Sequence, residues 1–154
     1  MIDFWSYKKE YKRYKKSFHK IFADTLKNGQ VFFGKNLKKF ESNFTKKYKI
    51  KYGIAVGSGT DAILISLMAL KLKKGDEVIT ASNTAIPTIS AIVNSGATPR
   101  LVDINDDYLM NINDVKKNIS KKTKVIIPVH LYGKPCDMNE LLKISKKKNI
   151  HIIE

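Results

Sequence analysis

Cysteine occurs once in this chain of 154 residues, at Cys136. A single thiol closes no internal disulfide and builds no cysteine metal cluster. Arginine is nearly missing too: only Arg13 and Arg100 accompany the many lysines. Sites that read base edges or fork onto phosphate favour arginine, so such sites have little to work with here. No run of residues is apolar for the length a membrane span needs. The opening MIDFWSYKKEYKRYKK lacks the apolar stretch of a signal peptide. A cytoplasmic location is therefore the default expectation. The three histidines, His19, His130 and His151, have no metal-ligand spacing, so no metal site is expected. No G-x-S-x-G occurs, which removes support for a nucleophile-elbow hydrolase. No G-x-x-x-x-G-K-[ST] occurs either, which disfavours a P-loop nucleotide hydrolase.

What remains is ordinary for one globular domain, at 43% hydrophobic and 28% charged residues. The charge is unusual. Residues 1–51 carry 15 Lys/Arg against 4 Asp/Glu, and residues 52–154 carry 14 against 10, so +11 of the net +15 lies in the first third. A basic module binding polyanions is one reading, and a lysine-rich composition of the source is the other. No specific nucleic-acid partner is expected.

The chain is organised around Gly53–Leu72, GIAVGSGTDAILISLMALKL. Ile54-Ala55-Val56 predicts a short strand, Gly57-Ser58-Gly59-Thr60 a tight loop, and Ala62 to Leu72 a helix. The first turn of a helix offers free backbone N–H groups at the positive end of its dipole. Small residues let a phosphate approach those groups, and Ser58 and Thr60 add hydroxyls. Asp61 falls in the first turn. From these residues alone the bland reading comes first: Gly and Ser often do no more than turn and cap. The loop is not a dinucleotide fingerprint, because the third glycine of G-x-G-x-x-G is Ala62 here.

In chain order, Tyr7, Tyr11, Tyr14, Phe18, Ile21 and Phe22 mark one apolar face of a helix that Asn28-Gly29 ends. Gln30 to Gly34 reads as a short extended piece. Leu37, Phe40, Phe44 and Tyr48 mark a second amphipathic helix. Glu77–Thr80 is then a strand, Pro87–Ser95 a helix and Pro99–Ile104 a strand. After the polar connection 105–111, Asn113 is expected to cap a short helix to Ile119. Lys124–His130 is a strand, Asp137 to Glu140 has the spacing of a capping box, and Ile150–Ile153 begins another strand. Alternating strands and helices with short loops predict an α/β fold: a mainly parallel sheet with helices on both faces, after two amphipathic N-terminal helices. The division expected is 1–50, a helical segment, and 51–154, part of a larger sheet domain. Ligands of such sheets bind at the carboxyl ends of strands, where Ser58–Thr60, Ser82–Ala85 and His130–Gly133 emerge.

His130, just before Tyr132-Gly133, faces a ligand or is satisfied by local backbone; both readings stand. Asp103, Asp106 and Asp107 read as a solvated loop ahead of a cation site, and Cys136 shows no activating partner in sequence. His151-Ile152-Ile153-Glu154 enters a strand with nothing after it, so an amino-terminal piece of a longer polypeptide is expected.

Several segments together, FFGKNLKKFESNF, GSGTDAILISLMAL, KKGDEVIT, SGATPRLVDI, TKVIIPVHLYGKPCDM and HIIE, resemble the DegT/DnrJ/EryC1/StrS sugar-nucleotide aminotransferases, pyridoxal-phosphate (PLP) enzymes of fold type I. The resemblance runs from about Gln30 to the last residue. It implies that Ser58, Gly59 and Thr60 hold the phosphate of PLP. It implies that Asn83, His130 and Tyr132 line the cleft. The aromatic that the family stacks on the pyridine ring is replaced by Ala85. Past a Glu such as Glu154, the family continues with an Asp on the pyridine nitrogen and, later, a Schiff-base Lys; neither lies within these residues. PLP chemistry needs both, so the chain alone is expected to be inactive and to hold no catalytic residue. The implied activity of the complete enzyme is amino transfer, from glutamate, to a keto group of a nucleotide-linked sugar for polysaccharide or glycoconjugate synthesis. The implied assembly is a homodimer, with the N-terminal aromatic faces as candidate dimer surface. The alternatives are a PLP-dependent sugar dehydratase, a non-catalytic regulatory homologue or, from another class, the basic polyanion-binding module.

Overall fold

The computed structural model describes residues 6–154. The chain forms two units, one ending at Ala55 and the other spanning Val56–Glu154.

In the first unit the expected helices form: α1 is Tyr7–Lys27 and α2 is Lys35–Tyr48. Neither helix buries a residue. Their aromatic faces instead stack along their own helices, Tyr14 on Phe18 at 6.1 Å and Phe44 on Tyr48 at 4.6 Å between ring centroids. Two expectations fail here. Gln30–Gly34 bends rather than extending, with Phe33 in the left-handed region at φ 51°. Residues 54–56 are not a strand. A strand needs a neighbour to take its N–H and C=O groups, and no described strand pairs with this run. The Ala55 N–H donates instead to Glu41 Oε1 at 2.9 Å.

The second unit is the expected sheet. It opens with α3, Gly59–Ala69, and closes with β4, His151–Ile152. Between them run β1 Glu77–Ala81, α4 Ile86–Asn94, β2 Thr98–Val102, α5 Ile112–Asn118, β3 Thr123–Ile127 and α6 Met138–Lys148. A short 3₁₀ turn, Leu131–Gly133, follows β3. All strand pairs are parallel, in the order β2-β1-β3-β4.

Successive strand residues point to opposite faces, and the core divides accordingly. Val78 and Val125 join Leu67, Ile92 and Ala97 beneath α3 and α4. Ile79 and Ile126 join Val102, Val115, Leu141 and Ile144 beneath α5 and α6. Helices therefore cover both faces, as a parallel sheet requires. The buried Thr80 hydroxyl donates to the Ile127 carbonyl at 3.0 Å, so burying it leaves no unpaired polar atom.

The helix ends follow local chemistry. Asp137 caps α6, its carboxylate accepting the Glu140 N–H at 3.1 Å. The return half of the capping box is not made, because Glu140 pairs with Lys143 at 2.7 Å and Lys116 at 3.1 Å. The cap of α5 is Asn111 rather than Asn113: its Oδ1 accepts from the N–H groups of both Asn113 and Asp114. Ile104 and Met110 bridge the loop before it, which places Asn111 at the helix mouth. At the end of α4 the chain reverses through Gly96 at φ 85°, a conformation glycine adopts without strain.

Candidate anion site at the carboxyl edge of the sheet

The strand order decides where a ligand sits. From β1 the chain crosses to β2 on one side, then returns to place β3 and β4 on the other. The crevice outside the carboxyl ends of β1 and β3 is thus the topological switch point, the usual ligand position in open parallel sheets. Ser82–Ala85 leave β1 there, Pro128–His130 leave β3, and Glu154 leaves β4. The helix α3 leads through the turn at 70–76 into the amino end of β1, so its own amino end is directed toward the same edge.

That amino end is specific in its accounting. Ser58 is the N-cap: its Oγ accepts the Asp61 N–H at 3.1 Å, and its carbonyl accepts the Ala62 N–H at 3.0 Å. The first-turn N–H groups of Gly59 and Thr60 have no intrahelical acceptor. A methyl group built on Gly59 meets nothing within 4 Å, so approach from outside is open. The Ser58 hydroxyl is less free than the sequence implies, because it donates to Asp61 Oδ2 at 2.9 Å. Two backbone N–H groups, the Thr60 hydroxyl and the helix dipole can hold an anion; Ser58 joins them only by releasing Asp61.

On the β1 side, Asn83 is exposed and Ala85 is the N-cap of α4, with no side-chain oxygen to cap it. The Thr84 hydroxyl donates to Thr88 Oγ1 at 2.9 Å. A shallow hollow of about 460 Å³ runs along α4 past Ser82, Thr84, Ile86 and Ile89. It touches neither Ser58–Thr60 nor His130, so it is distinct from the anion site.

On the β3 side, His130 receives the Cys136 N–H on Nδ1 at 3.1 Å and sits 2.9 Å from Glu154 Oε2 through Nε2. Local backbone thus faces one ring nitrogen of His130 and a carboxylate the other. Sequence reasoning missed Glu154 as that partner. The contact follows from the pairing of β3 with β4, parallel neighbours that carry their ends to one edge. Tyr132 is 90% exposed and stands in the left-handed region at φ 54°, a kink within the short turn after β3. Cys136 is buried and its Sγ donates to the Val129 carbonyl at 3.2 Å. Burial pushes this thiol above its ordinary value, which opposes a nucleophilic role. Asp107 pairs with Lys134 at 2.9 Å and is held below the usual carboxylate range by that bond. Among the described residues no group of His, Cys, Asp and Glu is placed to hold a metal ion, and no helix is long and apolar enough to cross a membrane.

Residues 12–154 match the DegT/DnrJ/EryC1/StrS aminotransferase family. The chain belongs to that family. GDP-perosamine synthase of Escherichia coli O157:H7 is 40% identical over 122 residues, 79% of this chain and 34% of that protein. The dTDP-3-amino-3,4,6-trideoxy-alpha-D-glucose transaminase of Micromonospora megalomicea subsp. nigra is 34% identical over 151 residues, 97% of this chain and 40% of that protein. Among solved structures, S. venezuelae DesV in complex with a ketimine intermediate superposes with a TM-score of 0.93 at 32% identity, covering 98% of this chain and 41% of that one. E. coli GDP-4-keto-6-deoxy-D-mannose-3-dehydratase with bound hydrated PLP superposes with a TM-score of 0.75 at 28% identity, covering 87% and 36%. The chain thus spans 34% to 43% of the length of these and the other first curated relatives it matches. The α/β fold with a parallel sheet covered by helices is as expected.

Proposed function

We propose that this chain supplies one wall of the cofactor site of a PLP-dependent enzyme that transfers an amino group, from glutamate, to a keto group of a nucleotide-linked sugar. Residues 1–50 are its helical segment and 51–154 part of its cofactor-binding domain. The carrying observation is the family match over residues 12–154, joined to a helix amino terminus with two unshared N–H groups directed toward the switch-point edge. When bound, PLP supplies the electron sink for the reaction. The residues present fit its phosphate: the N–H groups of Gly59 and Thr60 and the Thr60 hydroxyl would hold the anion, with Ser58 fixing the turn. Asn83, His130 and Tyr132 would line the cleft. Ala85 offers only a methyl group where a stacking ring is expected, so the pyridine ring takes little support from that position.

The 154 residues contain no lysine on the Schiff-base motif and no aspartate on the pyridine nitrogen motif, so the chain alone would bind without turning over. The product would feed surface polysaccharide or glycoconjugate synthesis in the cytoplasm. The complete enzyme would be a homodimer, and the exposed aromatic faces of α1 and α2 would meet the second copy.

Deleting the gene tests this. The expected result is loss of one amino deoxy sugar from the cell's glycans, with accumulation of the keto sugar nucleotide. Loss of a deoxygenated sugar with amino sugars intact would favour the dehydratase reading, which the likeness to the dehydratase motivates. Unchanged glycans would overturn both and leave a regulatory role.

A further inference from the structure

Tyr132 is the first residue of a tight reversal. It stands at φ 54° and ψ 24°, Gly133 follows at φ 81°, and the Lys134 N–H donates to the Leu131 carbonyl at 3.0 Å. Two left-handed residues inside such a bond are the pattern of a type I′ turn, whose first central position favours asparagine, aspartate or glycine. A tyrosine there meets the steric penalty of its Cβ. Lys49 and Asn149 share this backbone region, but each closes an α-helix. Tyr132 closes none. Its ring returns nothing to the fold: it is 90% exposed, with no hydrogen bond or ring partner among the described residues.

The loop that carries it is closed at its base. The Cys136 N–H donates to His130 Nδ1 at 3.1 Å, and the Cys136 thiol donates to the Val129 carbonyl at 3.2 Å. The Leu131 N–H donates to the same carbonyl at 3.0 Å. On the outer limb Lys134 Nζ pairs with Asp107 at 2.9 Å. A strained residue persists where its surroundings over-determine it, and such residues cluster at ligand sites. This one follows β3 at the carboxyl edge, where ligands of parallel sheets bind.

We propose that Tyr132 is a substrate-binding residue at the rim of the crevice, its ring stacking on the base of the nucleotide that carries the sugar. This rests on the function proposed above. The keto carbon must lie at the cofactor, so the nucleotide trails outward. Tyr132, at the exposed tip of a turn two residues beyond His130, is placed for that outer part. A rigid aromatic face accepts a base of either kind, because every base has a π-face.

The ring and the turn are separable. Tyr132→Asn removes the ring and gives the turn its favoured Asn-Gly pair, whereas Y132F keeps the ring. The experiment is calorimetric titration of the protein, loaded with pyridoxal 5′-phosphate, with UDP, dTDP and GDP as probes, and thermal melting alongside. Y132N should melt no lower than the wild type and bind the probe that the wild type prefers about tenfold more weakly. Y132F should bind like the wild type. Equal binding by Y132N and the wild type would overturn the proposal. A lower melting temperature in both Y132N and Y132G, which relieves the backbone without adding a side chain, would overturn it too, since the ring then serves packing. A wild type that takes pyridoxal 5′-phosphate but none of the three diphosphates overturns this inference and leaves the cofactor reading standing; one that takes neither overturns both.

Discussion

Gly59 separates a functional glycine from a structural one. It is the first residue of α3, its φ lies outside the left-handed region, and a methyl group there meets nothing within 4 Å. By folding logic alone, Gly59→Ala removes freedom from the unfolded chain at no native cost. The stabilisation expected is about 0.4–1 kcal/mol, which raises the melting temperature by roughly 1–4 °C for a chain of this size. By binding logic the same methyl stands where a phosphate must approach the Gly59 and Thr60 N–H groups. Losing one hydrogen bond to a charged group costs about 1.5–3 kcal/mol, or roughly tenfold or more in affinity. One substitution should therefore raise stability and lower affinity together. Melting by circular dichroism reads the first, and pyridoxal 5′-phosphate binding by fluorescence reads the second. Binding in G59A equal to the wild type, with stability raised, would refute the phosphate cradle and leave Gly59 as plain turn chemistry.

Other perturbations follow from the same structure. Leu141 is fully buried between α6 and the sheet, so Leu141→Ala should cost about 2–5 kcal/mol; a chemical-denaturation loss under about 1 kcal/mol would contradict the core assignment. Asp107 is held below its ordinary 3.8 first by its bond to Lys134, then by the Leu109 N–H. A lowered carboxylate stabilises the fold above its ordinary range, and the contribution fades as pH falls through its lowered value. Lys134→Ala should move the Asp107 titration back up toward 3.8, read by NMR, with a smaller change at high salt because both groups are exposed. Phe18→Asp, on the exposed face of α1, should weaken self-association in sedimentation while changing stability by no more than about 0.5 kcal/mol; an unchanged association constant would remove that face from the proposed dimer surface.

The elements with strong local signals were legible. Four-and-three spacing marked α1 and α2, and Pro87 and Gly96 bracketed α4. Asp137 announced its helix three residues ahead of Glu140. What misled depended on partners distant in sequence. Ile54–Val56 has the composition of a strand, yet pairing decides strands, and Glu41 takes the Ala55 N–H instead. Asn113 is as good a cap as Asn111 by residue type; the Ile104–Met110 bridge chose between them. In the site, Ser58, Gly59 and Thr60 were readable from helix-terminus physics. The Ser58–Asp61 bond is also local, at three residues, but it was hidden because the hydroxyl was counted as a free donor. The His130–Glu154 contact spans 24 residues and follows only once β3 and β4 are known to be neighbours.

The central claim is that the α3 amino terminus and the switch-point crevice receive one phosphorylated cofactor. The most direct measurement is a backbone amide NMR map of the ¹⁵N-labelled chain titrated with pyridoxal 5′-phosphate, repeated with inorganic phosphate. The account predicts saturable shifts at Gly59 and Thr60 with both ligands, joined by Asn83 to Ala85 and His130 with the cofactor alone. Shifts confined to the lysine-rich helices α1 and α2, fading with added salt, would contradict it and favour a basic polyanion-binding module.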